Sequence, residues 1–382
     1  MIRFSSALMA AFVLSAPALA DTKVGLLLPA SGNYAALGQD IETGFRMAIA
    51  ESGRGDITVL RADTAADPQT GLTMARKLVM QDRVDVLAGV VSSAVLGALR
   101  DFTDQAGVPL IVANAGNSDA TGKDCSPFIT RVSFSNDQLN RPMGAWMAAQ
   151  GIGSVYTLAP DYAAGQQMIA AFSEAFTAGG GTIAGGAFTP FAKTEDFGPY
   201  LARARASGAD ALYVFYGGAD AISFVKQYDS FGQAGTMPLY SVGFLTAPLY
   251  LREQGRAAEG VIGALHYLPG LDTPENHAFV AAYQQDHPGQ LPSEYVVAGY
   301  DAGRLLLGAL DTGASGRQGI AQALPDIAYT GPRGPLEIDP ATNNIVQNIY
   351  IFETVEGPDG MTHRLLDTVP AVRDAPNGCV MP

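Results

Sequence analysis

The sequence predicts an α/β protein built as two doubly wound parallel-sheet lobes. Three observations lead there. Short apolar runs bounded by Gly, Pro or Asp alternate with stretches of helical period. The alternation restarts near residue 154. After residue 267 its character changes to long helices followed by β-like runs.

The first lobe starts with Val24–Leu28, Ile57–Arg61, Val84–Ala88 and Pro109–Val112, which read as buried parallel strands. Between them, Ile41, Phe45, Ala48 and Ile49 fall on one helical face. Leu72, Ala75, Leu78 and Val79, and then Val95, Leu99 and Phe102, repeat the pattern. In the second lobe, strands are expected over Ser154–Ala159, Thr182–Phe188, Asp210–Tyr216, Leu239–Val242 and Gly260–Tyr267. Helices are expected over 163–178, 196–207, 219–232 and 248–254, and Gly179-Gly180-Gly181 stops the first of them. Helices at 274–286 and 293–311, a Pro/Gly-rich "TGPRGPLEIDP" and β-like Asn348–Thr354 and His363–Thr368 complete the chain. This order implies discontinuous domains, although periodicity does not say which lobe receives the later helices.

Composition sets further bounds. Residues 1–20 carry Arg3, an apolar run from Ala7 to Leu14 and an A-x-A site at Ala18-Leu19-Ala20, the pattern of a secretory signal peptide. No later stretch approaches the ~20 apolar residues of a membrane span, so the mature chain is expected to be soluble. Without Arg3 the 23 basic residues become 22 against 37 acidic ones, a charge of −15. That balance disfavours nucleic acid and anionic membranes as partners. Cys125 and Cys379, an even pair in an exported chain, are expected to form a disulfide. The two Cys and four scattered His show no metal-ligand spacing, and no cofactor is expected.

Four strand-to-helix turns are candidate ligand sites, because free backbone N–H groups gather there. They are "PASGNYAALG" with Ser31, Asn33 and Tyr34; "GVVSSAVLG" with Ser92 and Ser93; "VANAGNSDATG"; and "APDYAAGQ" with Tyr162. Either Ser of the second turn is placed to cap a helix or to hold a carboxylate. Asp63 and Asp67 read as a loop residue and a helix-start cap. Enzyme signatures fail. "GNSDATGKD" has five residues between Gly116 and Gly122, and Asp124 stands where a phosphate loop needs Ser or Thr. G-x-G-x-x-G and G-x-S-x-G are absent, and no carboxylate pair has an activating partner.

"KVGLLLPASGNYAALGQDIETGFRMAIAE", "ADTAADPQTGLTMARKLV", "VDVLAGVVSSAV" and "GVPLIVANAGNS" together resemble the leucine/isoleucine/valine-binding family of periplasmic ABC-transporter proteins. "VYTLAPDYAAGQQM" and "GADALYVFYGGADAISFVKQYDSFG" extend the likeness into the second lobe. The resemblance implies a three-stranded hinge near Arg131–Ser135, Leu265–Leu268 and Asn343–Val346. A ligand cleft would lie between the lobes and close around one small molecule. It implies lobes of 21–132 plus 267–344 and of 133–266 plus 345–382, and a monomeric periplasmic carrier delivering its ligand to a membrane permease.

By the same resemblance, Ser93, with Ser92, and the turn Ala115-Gly116-Asn117 would hold a ligand carboxylate, and Tyr162 would cover its apolar part. Tyr34 is a candidate from the opening turn, although the family's usual aromatic aligns better with Leu37. Amino-acid binders of the family carry an acid after the second lobe's fourth strand, where this chain has Gly243 and Phe244. Asp220 would substitute for that acid or cap its own helix. The segment around "YSVGFLT" also looks like relatives associated with uptake of aromatic acids. The favoured ligand is therefore an aromatic carboxylate of benzoate or cinnamate type. Branched-chain amino-acid binding is the alternative, and a sensory module of the same fold is the alternative class.

Overall fold

The computed structural model describes residues 21–381, so the signal peptide expected over residues 1–20 lies outside the described residues. The first lobe opens with β1 (Thr22–Leu28), α1 (Ala35–Glu51), β2 (Ile57–Asp63), α2 (Pro68–Met80), β3 (Val86–Gly89), α3 (Ser93–Ala106) and β4 (Leu110–Val112). Asp67 caps α2, accepting the Thr70 N–H at 2.8 Å. Two elements then appear that the sequence pattern concealed. One is a fifth strand, β5 (Ile129–Arg131), only three residues long and ending on a charge. The other is α4 (Asn136–Ala149), whose apolar face is broken by Asn140 and Pro142.

The second lobe runs β6 (Ser154–Pro160), α5 (Ala163–Ala178), β7 (Thr182–Thr189), α6 (Gly198–Ala206), β8 (Ala211–Val214), α7 (Ala219–Ser230), β9 (Leu239–Val242), α8 (Pro248–Gln254) and β10 (Ile262–Leu265). Next come α9 (Pro274–Asp286), α10 (Glu294–Asp311) and α11 (Gly316–Ala323). The Pro/Gly-rich stretch is not a loop. It folds as a hairpin of β11 (Ala328–Gly331) and β12 (Gly334–Asp339), with Leu336 and Ile338 facing inward between exposed Pro335 and Glu337. The last two runs extend into a long hairpin of β13 (Asn344–Gly357) and β14 (Gly360–Val372).

Strand order along the sheet is β2-β1-β3-β4-β5-β13-β10-β9-β8-β6-β7. On each side of β13 five parallel strands form a doubly wound lobe. β13 is the seam between them. It pairs parallel with β5 at Asn344 and Arg131, then antiparallel with β10 from Leu265–Tyr350 to Ile262–Glu353.

Glycine contacts settle where the later helices go. In α1, Leu37, Ile41, Phe45 and Ala48 are buried on one face. A Cβ on Gly44 would lie 1.8 Å from Val296 O, and one on Gly299 would lie 1.9 Å from Ile41 O. Helices α1 and α10 therefore cross at backbone contact, which only glycine permits. Arg317 of α11 donates to the carbonyls of Val79 (3.1 Å) and Val84 (3.0 and 3.1 Å). The late helices thus cover the first lobe.

Two buried arginines knit the crossing strands. Arg131 donates to Asn344 Oδ1 (2.7 Å) and to the carbonyls of Ala115 (3.2 Å) and Asn117 (2.8 Å). Arg333, wholly buried, pairs with the equally buried Asp301 and donates to Val132 O, Ser133 O and Gln347 Oε1. It therefore ties the 132–133 crossing to β13. A disulfide joins Cys125 to Cys379, with Cα atoms 5.5 Å apart, and fastens the C-terminal tail to the first lobe.

Candidate ligand-binding site

The turns that follow the strands of the two lobes face one another across a cavity of about 30 Å³. The opening turn is buttressed from behind by Asp63, which accepts hydrogen bonds from Ala30 N (2.7 Å), Ala65 N (2.7 Å) and Ser31 Oγ (2.9 Å). Burial pushes the Asp63 carboxyl up, and those three donors outweigh it to leave the group below its usual range. Tyr34 and Leu37 then project into the cavity.

At the end of β3 the backbone reverses sharply. Val90, fully buried and β-branched, holds φ at +65°, a costly conformation that its surroundings enforce. Its N–H donates to Leu27 O (2.7 Å) and its carbonyl accepts from Ala115 N (2.9 Å). The reversal brings Val91 and Ser93 to the cavity wall at the start of α3. After β4, Asn114 and Gly116 line the next wall. A Cβ on Gly116 would lie 2.2 Å from Asn136 Oδ1 and 2.6 Å from the Phe134 ring, so no larger residue fits there. Phe134 and Asn136 follow from the first crossing.

From the second lobe come Tyr162, Ala164 and Met168, then Phe215 and Gly217, then Phe244; Tyr295 of α10 completes the enclosure. The rings pack on one another. Phe134 lies 5.1 Å from Phe244, Phe244 lies 5.9 Å from Tyr295, and Tyr162 stacks on Phe191 at 4.3 Å. Behind Phe134, at 5.4 Å, sits His266. It is fully buried, without a hydrogen-bond partner on either nitrogen, and burial, with the charge of Arg333, holds it neutral.

Contacts cross from lobe to lobe. The Tyr34 and Tyr162 hydroxyls are 3.0 Å apart, and Asn33 Oδ1 accepts from Ala219 N at 2.9 Å. Gln167 of α5 accepts from Ser118 N (3.0 Å) and donates to Asn117 Oδ1 (3.1 Å); it also accepts from Asn136 Nδ2 (2.7 Å) of α4, the helix packed beside α5.

Of the residues singled out in the sequence, Tyr34, Ser93, Gly116, Tyr162 and Phe244 line this cavity. Four others do not. Ser92 occupies the N-cap position of α3 but makes no capping hydrogen bond. The Ala115 N–H is committed to Val90 O. Asn117 turns its side chain away, donating from Nδ2 to Ser93 O (3.1 Å) and accepting at Oδ1 from Asp119 N (3.0 Å). Asp220 is half-buried outside the lining, and the N-cap of its helix is Gly218. Burial raises its carboxyl to about 6, against a hydrogen bond from the Ala192 backbone. Sequence reasoning missed Asn114, Phe134, Asn136, Phe215 and Tyr295.

The lining also shares a position in the fold. Tyr34 and Leu37 stand at the N-terminus of α1, Ser93 at that of α3 and Asn136 at that of α4. Tyr162 and Ala164 begin α5, Gly217 precedes α7, and Tyr295 belongs to the first turn of α10. Each end contributes roughly half a positive charge. No charged side chain lines the cavity among the described residues. The result is an uncharged, aromatic-walled chamber with an electrostatic preference for an anion.

Such a fold and chamber suit the capture of a small solute between two lobes. The family model for periplasmic binding proteins matches residues 21–359, and the chain belongs to that family, the binding components of ABC transporters. It is 32% identical over 366 residues to the Leu/Ile/Val-binding protein homolog 6 of Brucella melitensis biotype 1, covering 92% of this chain and 93% of that one. Among solved structures it resembles a Rhodopseudomonas palustris BisB5 solute-binding protein in complex with 3,4-dihydroxybenzoic acid. The two are 34% identical with a TM-score of 0.88, over 92% of this chain and 98% of the other. A second R. palustris solute-binding protein, in complex with benzoate, is 33% identical with a TM-score of 0.87, over 94% and 99% of the two chains.

Proposed function

We propose that this periplasmic binding protein captures a small aromatic carboxylate and presents it, as a monomer, to an ABC permease. The observation that carries the reading is the chamber itself, six helix N-termini around aromatic walls with no charged side chain. A carboxylate is stabilised there by backbone dipoles and by the Ser93 hydroxyl. The ammonium of an amino acid would be buried without a counter-charge, which is strongly unfavourable. The benzoate complexes of the two R. palustris relatives support this choice over the ligand class in the Brucella relative's name.

The division into lobes of 21–132 with 267–344 and of 133–266 with 345–382 belongs to the same proposal. So does capture by their closure. A cavity of about 30 Å³, bridged by Tyr34–Tyr162 and Asn33–Ala219, admits no aromatic ring until the lobes part. Gly218 stands at that closing contact. Its φ is +66°, and a Cβ would lie 2.5 Å from Asn33 O. Gly218→Ala is therefore expected to disfavour the closed form and to weaken ligand binding about tenfold, an effect of ~1.4 kcal/mol. Calorimetry alongside small-angle scattering checks it, and unchanged affinity would remove this turn from the closing mechanism.

The test of the function is a thermal-shift screen of benzoates, cinnamates, aliphatic acids and amino acids. A benzoate at 100 times its dissociation constant should add about 2.7 kcal/mol of stability, while leucine adds nothing. Ser93→Ala should then cost the best ligand ten- to a hundredfold in affinity, the ~1.5–3 kcal/mol of one hydrogen bond to a charge. Mass spectrometry should return the ligand intact. Stabilisation by leucine alone would defeat the aromatic-acid reading.

A further inference from the structure

Two carboxamides in the lining have fixed orientations. Gln167 Oε1 accepts the Ser118 backbone N–H at 3.0 Å, which identifies that atom as oxygen. Asn136 must therefore present its Nδ2 to it, at 2.7 Å; the same nitrogen lies 3.3 Å from Ser93 Oγ. Asn136 Oδ1 is left facing Gly116 with no donor. Asn114 is fixed in the same sense. Its Nδ2 lies 3.4 Å from Val91 O, a group that only accepts, and its Oδ1 has no donor. Both residues are more than nine-tenths buried, Asn136 completely and Asn114 to 7% exposure. The walls around them supply no further N–H or O–H to these oxygens. Two buried acceptors are thus left without donors on residues that line a chamber otherwise favouring an anion.

We propose that Asn114 and Asn136 are specificity-determining residues that select a ligand carrying a hydroxyl donor, so that the preferred ligand is a hydroxy-substituted aromatic acid rather than the bare acid. The inference rests on the aromatic-carboxylate reading and deepens it. A carboxylate cannot satisfy these oxygens, since acceptor would meet acceptor, and its place is with the Ser93 hydroxyl and the helix amides. An ammonium could donate to them but would find no charged side chain among the lining residues to accompany it. A neutral hydroxyl donates without bringing a charge. A site built to bond a hydroxyl discriminates strongly against an analogue that lacks it, because the buried acceptors are then left unmet.

The experiment titrates the mature protein calorimetrically with benzoate, 3- and 4-hydroxybenzoate, 4-methoxybenzoate and leucine. At least one hydroxybenzoate should bind tenfold or more tighter than benzoate, and the methoxy compound, which accepts but cannot donate, should gain nothing. Asn136→Ala and Asn114→Ala are then compared by the hydroxybenzoate-to-benzoate affinity ratio. That ratio is insensitive to a general loosening of the site, which weakens both ligands alike. It should fall to within about threefold of unity in at least one variant. Equal affinity of the wild type for benzoate and both hydroxybenzoates overturns this inference and leaves the aromatic-acid reading standing. So does a ratio that survives both substitutions. Binding of leucine with no aromatic acid bound overturns both.

Discussion

Asp301→Ala is expected to lower unfolding stability by about 3–5 kcal/mol, the usual cost of stranding one member of a buried ion pair. Asp301 and Arg333 are both wholly inaccessible to solvent. Burial raises the Asp301 carboxyl, while the charge of Arg333 and hydrogen bonds from Arg333 and Tyr329 (2.8 Å) oppose that rise and favour the ionised form. Removing the carboxylate leaves a guanidinium with three uncharged acceptors, Val132 O, Ser133 O and Gln347 Oε1. Those acceptors belong to two of the crossing strands, so the damage is expected at the hinge and not only inside α10. The urea midpoint of Asp301→Ala measures the loss. The double variant Asp301→Ala/Arg333→Met should recover part of it, because no unpaired charge then remains. A double variant less stable than the single one would mean that Arg333 contributes mainly through its carbonyl contacts.

The second large effect depends on pH. Glu294 occupies the first position of α10, wholly buried, with no hydrogen-bond partner for either carboxyl oxygen. Burial pushes its pKa from 4.5 to about 8, and the nearby Asp40 carboxyl adds to the rise. Between these values the folded chain holds a proton that the unfolded chain has released. The contribution of Glu294 to stability is therefore intact below about pH 4.5 and is lost as pH rises to about 8, by at most ~1.4 kcal/mol per pH unit. Glu294→Gln removes the ionisation. Its stability advantage over the wild type should grow by a few kcal/mol from pH 5 to pH 8 and then level off. Asp40, itself raised by burial to about 6, is present in both proteins, so the difference reads Glu294 together with its coupling to Asp40. An advantage that stays constant from pH 5 to pH 9 would show that the carboxyl is already ionised in the fold.

The doubly wound lobes were legible because their strands are short apolar runs and their helices carry clean stripes, as in Ile41, Phe45 and Ala48. Elements that join the lobes were harder to read. Strand β5 is three residues long and ends on Arg131, whose charge is absorbed by Asn344 and two carbonyls that no local pattern announces. The β11–β12 hairpin was hidden by its glycines and prolines, although Leu336 and Ile338 alternate with Pro335 and Glu337 as a strand with one buried face should. Of the cavity lining, Tyr34, Ser93, Gly116 and Tyr162 were legible because each lies in a strand-to-helix turn, while Phe244 was named through the family likeness alone. Asn136 was missed because helix α4 was missed. Phe215 and Tyr295 were missed because a lone aromatic after a strand or inside an apolar helix looks like core. The convergence of six helix ends is a property of the assembled fold and has no signature in any one segment.

The bond between Cys125 and Cys379 spans 254 positions of the chain. In an exported protein this separation sets an order of events. The first cysteine reaches the oxidising compartment with its mate still unsynthesised or untranslocated. Where export proceeds with synthesis, at ~5–20 residues per second, roughly 13 to 50 seconds separate them. Through that interval Cys125 is an accessible thiol in a growing chain, open to a mixed disulfide with the compartment's oxidant or to pairing with another nascent copy. The tail therefore acts as a time stamp. Only a chain whose residue 379 has emerged can close the clasp, and closure marks a molecule whose whole ligand chamber has already been delivered.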